Sequence, residues 1–526
     1  MRIRPAHSTC ALDLRTMLAR VQRMRLYNTA HRAIEPVVPI DPSGSITFYS
    51  CGPTVYDDAH IGNFRSFLNA DTLRRALELL GHRVHHVMNI TDVGHMTDDG
   101  NADGGGEDKM AVAGRRIAEA KKSGALPAGT DLDPSDPYAI AGFYAGRFLE
   151  DARTLGLKVA SEAATDPSLM PRPTACIPQM VELVERLVAR GHAYVASDGV
   201  VYFDVRSFPA YGALSGNTLD QLREGEGGRI SAEHQAVKRH PADFMLWKPD
   251  EHHMMKWPSP WGAGYPGWHL ECSAMAAMTL GERIDLHSGG EDNIFPHHEC
   301  EIAQSCCGFG QPTFANHWFH TRHLQVEGEK MSKSKGNFFT ARDLFAKGVT
   351  PAALRLELVR THYRTNANFT LQGLRDCQRM IDRWARAHHA LDAAAASHAA
   401  DVSAAPGPMA RALDAFIDAL CDDLNLARAV AALNEACSEA PSGCPHAERA
   451  AFARMDSVLA VLERNKPVQA PADDSFASQV ESLIAQRLAA RAAKDWAAGD
   501  AIRAQLVQLG VTIKDGPQGT TWTRAV

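Results

Sequence analysis

What this 526-residue chain lacks narrows what it is. It has no apolar run of about 18 residues, so no segment reads as a transmembrane helix. Its N-terminal stretch, MRIRPAHSTCALDLRTMLARVQRMRLYN, lacks the apolar core of about 7–15 residues that marks a secretory signal. That stretch is Arg-rich and acid-poor, which fits a transit peptide or an extension ahead of a start at Met24. We take residues 1–24 as an extension. No segment repeats. The eleven cysteines lack the regular spacing of a disulfide framework and suit a reducing compartment. Positive charge is not in excess either, since the formal net charge is −7. No overall basic field advertises nucleic-acid binding, although phosphate recognition needs only a local patch.

The rest is globular in composition, 45% hydrophobic and 22% charged, and long enough for several domains. Ile46–Cys51 is a short β-prone run stopped by Gly52-Pro53. Phe64, Phe67, Leu68, Leu73, Ala76, Leu77 and Leu80 then recur at helical spacing, and Gly81 sits where a helix C-terminal glycine belongs. Arg83–Ile90 reads as the next strand. Strand, helix, strand opens a parallel α/β sheet. The stretch 98–108 reads as a loop. Residues 138–195 look helical and 200–250 rich in turns. Strand signals return at Ile284–His287 and His317–Val326, as if an insertion splits the sheet. After about residue 346 the pattern is helical, with loops at 393–408 and 437–446 and a turn-rich end.

Three places carry chemistry. Residues 51–63 follow a strand and open a helix, where unpaired N–H groups and a partial positive charge suit an anion. Gly62 lets a ring or phosphate approach the backbone, and His60 offers a donor. Taken alone, this is also what an ordinary turn looks like. Lys330, Lys333 and Lys335 form a cationic loop suited to polyphosphate, or else a solvated surface loop. In the third place, EDNIFPHHECEIAQS, His297 and Glu301 share a helix face at i and i+4, while His298, Glu299 and Cys300 point elsewhere. Cys51 ends the first strand and Cys272 lies in a separate run. The C-terminal edge of a parallel sheet is where such residues gather, and Cys₂HisGlu suits zinc. Both cysteines also read as small buried hydrophobes.

The motifs KMSKS at 330–334 and HIGN at 60–63 together resemble the class I aminoacyl-tRNA synthetases, whose paired signatures bracket ATP on a Rossmann-like fold. Asn63 departs from the common signature, in which a histidine ends the motif. The strings CGPTVYDDAHIG, PGWHLECSAM, FPHHECEIAQS and KMSKSKGNFFTARDL resemble the cysteinyl-tRNA synthetase family, in its order and at its distances. DFMLWK, THYRTNANF and the closing KDWAAGDAIRAQLVQLGVTIKDGPQGTTW extend the resemblance from about Arg25 to the C-terminus. The first 24 residues and the stretch VGHMTDDGNADGGGEDKM depart from it.

The resemblance implies a Rossmann-like α/β catalytic domain split by a connective insertion, then an all-helical region and a small anticodon-binding module. The boundaries expected are an extension at 1–24, catalytic halves at 25–140 and 255–329, and the insertion at 141–254. A lysine-loop and stem-contact region follows at 330–375, a helical bundle at 376–465 and the anticodon module at 466–526. The implied activity is cysteine activation by Mg²⁺-ATP and transfer to tRNA(Cys), by a cytoplasmic monomer that touches no membrane. One Zn²⁺ per chain would bind the substrate thiol through Cys51, Cys272, His297 and Glu301. His60, Lys330 and Lys333 would act on the phosphates, with Gly62 and Asn63 also at ATP. Gly52, Thr54, Thr91, Trp268 and Asp292 would surround the amino acid, and Arg491, Asp500 and Asp515 would meet the anticodon. Two other readings stay open: a cysteine ligase acting on an amino sugar, and a non-catalytic paralogue that binds RNA or metal.

Residues 476–526 hold six Lys/Arg against four Asp/Glu, a local net charge of +2. Trp496 and Trp522 in this part fit two readings, stacking surfaces for unpaired bases or ordinary core packing.

Overall fold

The computed structural model describes residues 24–93, 96–98, 105–123, 126, 130–218, 237–332, 336–397, 405–440, 442–468, 474–493, 495–508, 511–516 and 519–524. Four strands make the central sheet: β1 (Ser45–Ser50), β2 (Arg83–Met88), β3 (Ile284–Gly290) and β4 (Ala315–Thr321). All neighbours are parallel, in the order β4-β3-β1-β2. Alternate side chains enter separate cores. Phe48, Met88, Leu286 and Phe319 join one; Tyr49, Val87 and Trp318 join the other. A sheet covered on both faces needs apolar residues at successive positions, which is why these strands read as near-continuous hydrophobic runs.

Helix α1 (Ile61–Leu79) connects β1 to β2. It begins with a capping box: Asn63 N–H donates to His60 Nδ1 and His60 N–H donates to Asn63 Oδ1, both at 3.1 Å. It ends in a Schellman turn, with Gly81 N–H on the Glu78 carbonyl (3.0 Å) and His82 N–H on the Leu77 carbonyl (3.1 Å). Gly81 has φ +100°, where any side chain would strain the backbone. On the other half of the sheet, α2 (Trp268–Leu280) leads into β3, and α3 (Glu299–Phe309) joins β3 to β4. From β1 the chain turns outward to β2, and from β3 it turns outward to β4. The C-terminal ends of the adjacent strands β1 and β3 therefore form the topological switch point, where ligands of such sheets bind.

Between the halves, strands Ala193–Val195, Val201–Phe203, Phe244–Pro249 and Gly264–Pro266 form an antiparallel sheet. Helix Pro137–Thr154 runs through residue 141 and packs Ile140, Tyr144 and Phe148 into the first core. Two sequence readings are corrected. Residues 98–108 are not all loop, because Met96–Asp98 pairs antiparallel with Gly105–Asp108. The run 317–326 is not one strand: after β4, Leu324–Val326 pairs in another sheet with Glu329–Lys330 and Ala367–Phe369. Past residue 346 the elements among the described residues are helices up to Gln508, apart from the strand Ala367–Phe369, followed by the hairpin Val511–Gly516/Gly519–Arg524.

Buried charge fastens α1 to the helical part. Asp71 accepts from Arg355 and from Arg75 Nε (2.7 Å), and Arg355 also donates to the carbonyls of Leu155 and Leu459. Burial pushes the Asp71 carboxyl up, but the two guanidinium groups outweigh it and hold it well below the usual carboxylate range.

Candidate active site

Cys51 follows β1 and its N–H donates to the Ser288 carbonyl of β3 (3.0 Å), which fixes it at the switch point. Cys272 lies on the first turns of α2, and Glu301 on the first turn of α3. His297 stands in the turn Ile294–His298 just before α3, yet keeps its i, i+4 relation: its Nε2 is 2.8 Å from Glu301 Oε1. One donor atom from each of Cys51, Cys272, His297 and Glu301 lies within 4.8 Å of the others. Four ligands at roughly 2.0–2.3 Å around tetrahedral zinc stand about 3.3–3.8 Å apart, so small adjustments accommodate the ion. The 3.7 Å from Cys51 Sγ to Glu301 Oε1 is already in that range.

The electrostatics fit a cation as well. A hydrogen bond with Cys51 pulls the Cys272 thiol down, while burial pushes the Cys51 thiol up. Burial opposes charge on Glu301 and His297 too, but their partners win. His287 and His297 draw Glu301 down to about 2, and Glu301 and Cys272 raise His297 to about 10. Two thiols and a carboxylate in one buried corner thus recruit the nearest proton as a positive charge. A divalent ion would take over that task and release the proton.

The outer partners are histidines that the sequence reading missed. His287, on β3, places Nε2 2.6 Å from Glu301 Oε2. His269 pairs its Nδ1 with His297 Nδ1 (2.9 Å), leaving His297 Nε2 for the corner. The expectation that His298 points elsewhere is corrected. Its Nε2 is 3.3 Å from Cys51 Sγ, and its Nδ1 is 2.8 Å from His320 Nε2. His297 and His298 both follow the non-helical Phe295, and the rings of both reach the corner. A second set, Cys51, His287, His298 and Glu301, consequently also lies within 4.8 Å. Strand alternation was a usable signal for His287, which is directly opposite Tyr49 and shares a face with Cys51. Glu299 and Cys300 do turn away, to Ser215 N–H and the Tyr211 hydroxyl.

Around this corner, a Cβ at Gly52 would fall 1.7 Å from the Asn89 carbonyl oxygen, so no other residue fits there. Thr54 and Thr91 form a β-bridge, and the Thr91 hydroxyl donates to the buried Glu271 (3.1 Å). The Trp268 ring lies 4.4 Å from the His297 ring. Asp292, 3.4 Å from His323 Nε2, is mostly exposed.

The second signature meets the first. His60 bridges Thr340, Ile61 N–H donates to the Phe339 carbonyl (3.0 Å), and the Phe338 ring stands edge-on to His60 at 5.4 Å. A Cβ on Gly62 would be 2.9 Å from both the His60 ring and the Met331 methyl. Because His60 Nδ1 accepts from Asn63, its proton is on Nε2, the nitrogen that would donate to a phosphate. Asn63 thus has a capping role that needs no imidazole. Lys330 is exposed at the end of its strand, and Lys333 lies outside the described residues.

In the C-terminal part, Arg491 and Asp500 are exposed on helices Asp474–Ala492 and Trp496–Gln508. Trp496 is 60% exposed, outside the small core of Val480, Ile484, Leu506 and Val511. Asp515 sits in the closing hairpin, but its side chain and that of Trp522 lie outside the described residues. No helix among the described residues is long and apolar enough to cross a membrane.

Residues 37–379 match the model of the class I (C) tRNA synthetase catalytic domain, and residues 473–522 that of the cysteinyl-tRNA ligase anticodon binding domain. A cysteine–tRNA ligase of Salinibacter ruber is 43% identical over 95% of this chain and 98% of its own length. Those of Rhodospirillum rubrum and Thermus thermophilus are 41% and 40% identical, over 95% and 94% of this chain and 100% and 98% of theirs. Among solved structures, a LeuRS of Agrobacterium radiobacter K84 in ternary complex with tRNA and LeuAMS is similar in fold, with TM-score 0.52 and 12% identity over 82% of this chain and 85% of that one. Mycobacterium tuberculosis methionyl-tRNA synthetase bound by methionyl-adenylate has TM-score 0.50 and 14% identity, over 80% of this chain and 89% of that one. With a buried thiol corner at the switch point, paired signatures in contact, and these relatives along nearly its whole length, the chain belongs to the cysteine–tRNA ligase family of class I tRNA synthetases and is a ligase.

Proposed function

We propose that the chain activates L-cysteine with Mg²⁺-ATP to cysteinyl-adenylate and passes the cysteine to the 3′ end of tRNA(Cys). The observation that carries this reading is the convergence of Cys51, Cys272, His297 and Glu301 at the end of the strand that leads into the first signature, in a chain whose residues 473–522 match an anticodon-binding domain. These four residues would hold one Zn²⁺. We favour them over the set with His287 and His298 because they supply a second thiol, the softer donor, and because those two histidines serve as outer partners. The bound ion would ionise and hold the substrate thiol, chemistry that a serine hydroxyl enters poorly.

The chain's own residues do the rest. Trp268, Gly52, Thr54, Thr91 and Asp292 would border the amino acid. His60 would donate through Nε2 to the phosphates as charge builds, with Gly62 and Asn63 shaping the helix start. Lys330 and Lys333 would close from the other side as point charges, so that positioning and charge stabilisation account for the rate. Arg491, Asp500 and Asp515 would meet the anticodon. The domain division given above, a monomeric state and a cytoplasmic location complete the reading.

Cysteine-dependent ATP–pyrophosphate exchange, followed by acyl transfer to tRNA or to an amino sugar, tests it. Exchange together with tRNA charging is expected. Transfer to the amino sugar, or no exchange at all, would sink it. Deleting residues from about 466 onward should spare exchange and cripple charging.

A further inference from the structure

Asp57 and Asp58 stand just before His60, where two bare carboxylates would repel a polyphosphate. The fold answers each with an arginine from the segment that follows β2. Arg116, on helix Lys109–Ser123, donates to Asp57 Oδ2 at 2.9 Å. Arg147, on helix Pro137–Thr154, grips Asp58 with two parallel bonds, Nε to Oδ1 at 2.6 Å and Nη2 to Oδ2 at 2.7 Å. The fork-to-carboxylate match fixes direction as well as distance, and both side chains are less than a quarter exposed.

The same helix holds the opposite wall of the nucleotide site. Arg342 comes two residues after Thr340, the residue that bridges His60. Its Nε donates to Asp151 Oδ2 (3.0 Å), and its Nη2 to Glu150 Oε2 (2.6 Å) and to the backbone carbonyl of Arg147 (3.0 Å). Arg147 thus takes Asp58 on its side chain and Arg342 on its main chain. About one turn of helix ties the segment entering the first signature to the segment leaving the second.

We propose that Arg147 is a positioning residue for nucleotide activation, the centre of a brace in which the Asp58–Arg147 and Asp151–Arg342 pairs set the separation of His60 from the lysine loop. Neither arginine is required to touch the substrate. The brace acts through distance: an error of about 1 Å in the placement of a reacting group costs on the order of 10²-fold in rate. This inference rests on the two-signature reading of the ATP site.

The test uses the full chain in cysteine-dependent pyrophosphate exchange, with melting temperatures recorded alongside. Arg147→Met is expected to lower kcat about tenfold to a hundredfold and to raise KM for ATP, leaving KM for cysteine unchanged. Arg147→Lys keeps the charge but loses the fork, and its kcat should fall between the two. Arg342→Met should give the same ATP-selective defect. If Arg147→Met does not fold, Arg147→Lys decides alone: native melting with slowed exchange supports the brace. An exchange rate within about twofold of the unaltered chain in folded Arg147 variants overturns it, as does a loss that follows the folded fraction and affects both substrates equally. Absence of exchange in the unaltered chain would instead defeat the two-signature reading, so the failures are distinguishable.

Discussion

Cys272, His297 and Glu301 are each at most 1% exposed, whereas residues 327–330, up to and including Lys330, are open to solvent. The two walls of one proposed site are thus built differently. The thiol corner is held by strand ends, helix starts and a ring of outer histidines, so its donors have almost no freedom. The lysine wall hangs on a short strand pair and meets the rest through Met331 and residues 338–340. Telling two near-isosteric amino acids apart requires preorganised donors, since shape alone discriminates by only roughly 10²-fold. Screening a polyphosphate needs charge brought close, which an exposed lysine supplies.

The comparison breaks most sharply at the thiol corner. Cys272→Ser should abolish stoichiometric zinc and cysteine activation together, a loss beyond the roughly 10–100-fold of an outer-partner change. Elemental analysis beside pyrophosphate exchange measures both, and Cys300→Ser, whose side chain faces Tyr211, is the silent control. A Cys272→Ser protein with full zinc would mean that the ligand set is wrong. In the second signature, Lys333→Ala should slow adenylate formation about 10²–10³-fold while zinc content and cysteine affinity stay put. An unchanged rate removes that lysine from the chemistry. His287→Asn sharpens the contrast further, because it touches no substrate in the proposed site. It should weaken zinc retention about 10–100-fold in chelator competition, and equal retention would deny His287 an outer role.

The smallest effect on chemistry is expected away from both walls, at Asp71. Its carboxyl is depressed when folded, so it contributes stability above its unfolded value, near 3.9, and loses that contribution as pH falls below it. Asp71→Asn should leave Arg355 buried without a charge partner, cost about 3–5 kcal/mol at neutral pH and flatten the acid limb of stability. Urea midpoints between pH 7 and pH 3 check this; an unaltered acid limb in the variant would exclude Asp71 as its source. Exchange by the folded fraction should be nearly native.

Local patterns in the chain determined a good deal. The apolar spacing of Phe64 to Leu80 and the glycine at 81 mark helix α1 and its end, and the lysine cluster and the His297–Glu301 spacing mark the chemistry. These are readable because helix period, capping and i, i+4 contact depend only on neighbours in sequence. The tertiary structure alone decided which strands lie side by side, and hence that Cys51 and Cys272, 221 positions apart, share a corner with α3. It also turned His298 inward, drew His287 and His320 into the outer ring, and split the run 317–326 between two sheets. Those outcomes depend on strand order and on which face of a strand meets which helix. Each is settled by burying apolar surface across the whole domain, an energy to which no single stretch of sequence contributes enough to be read in advance.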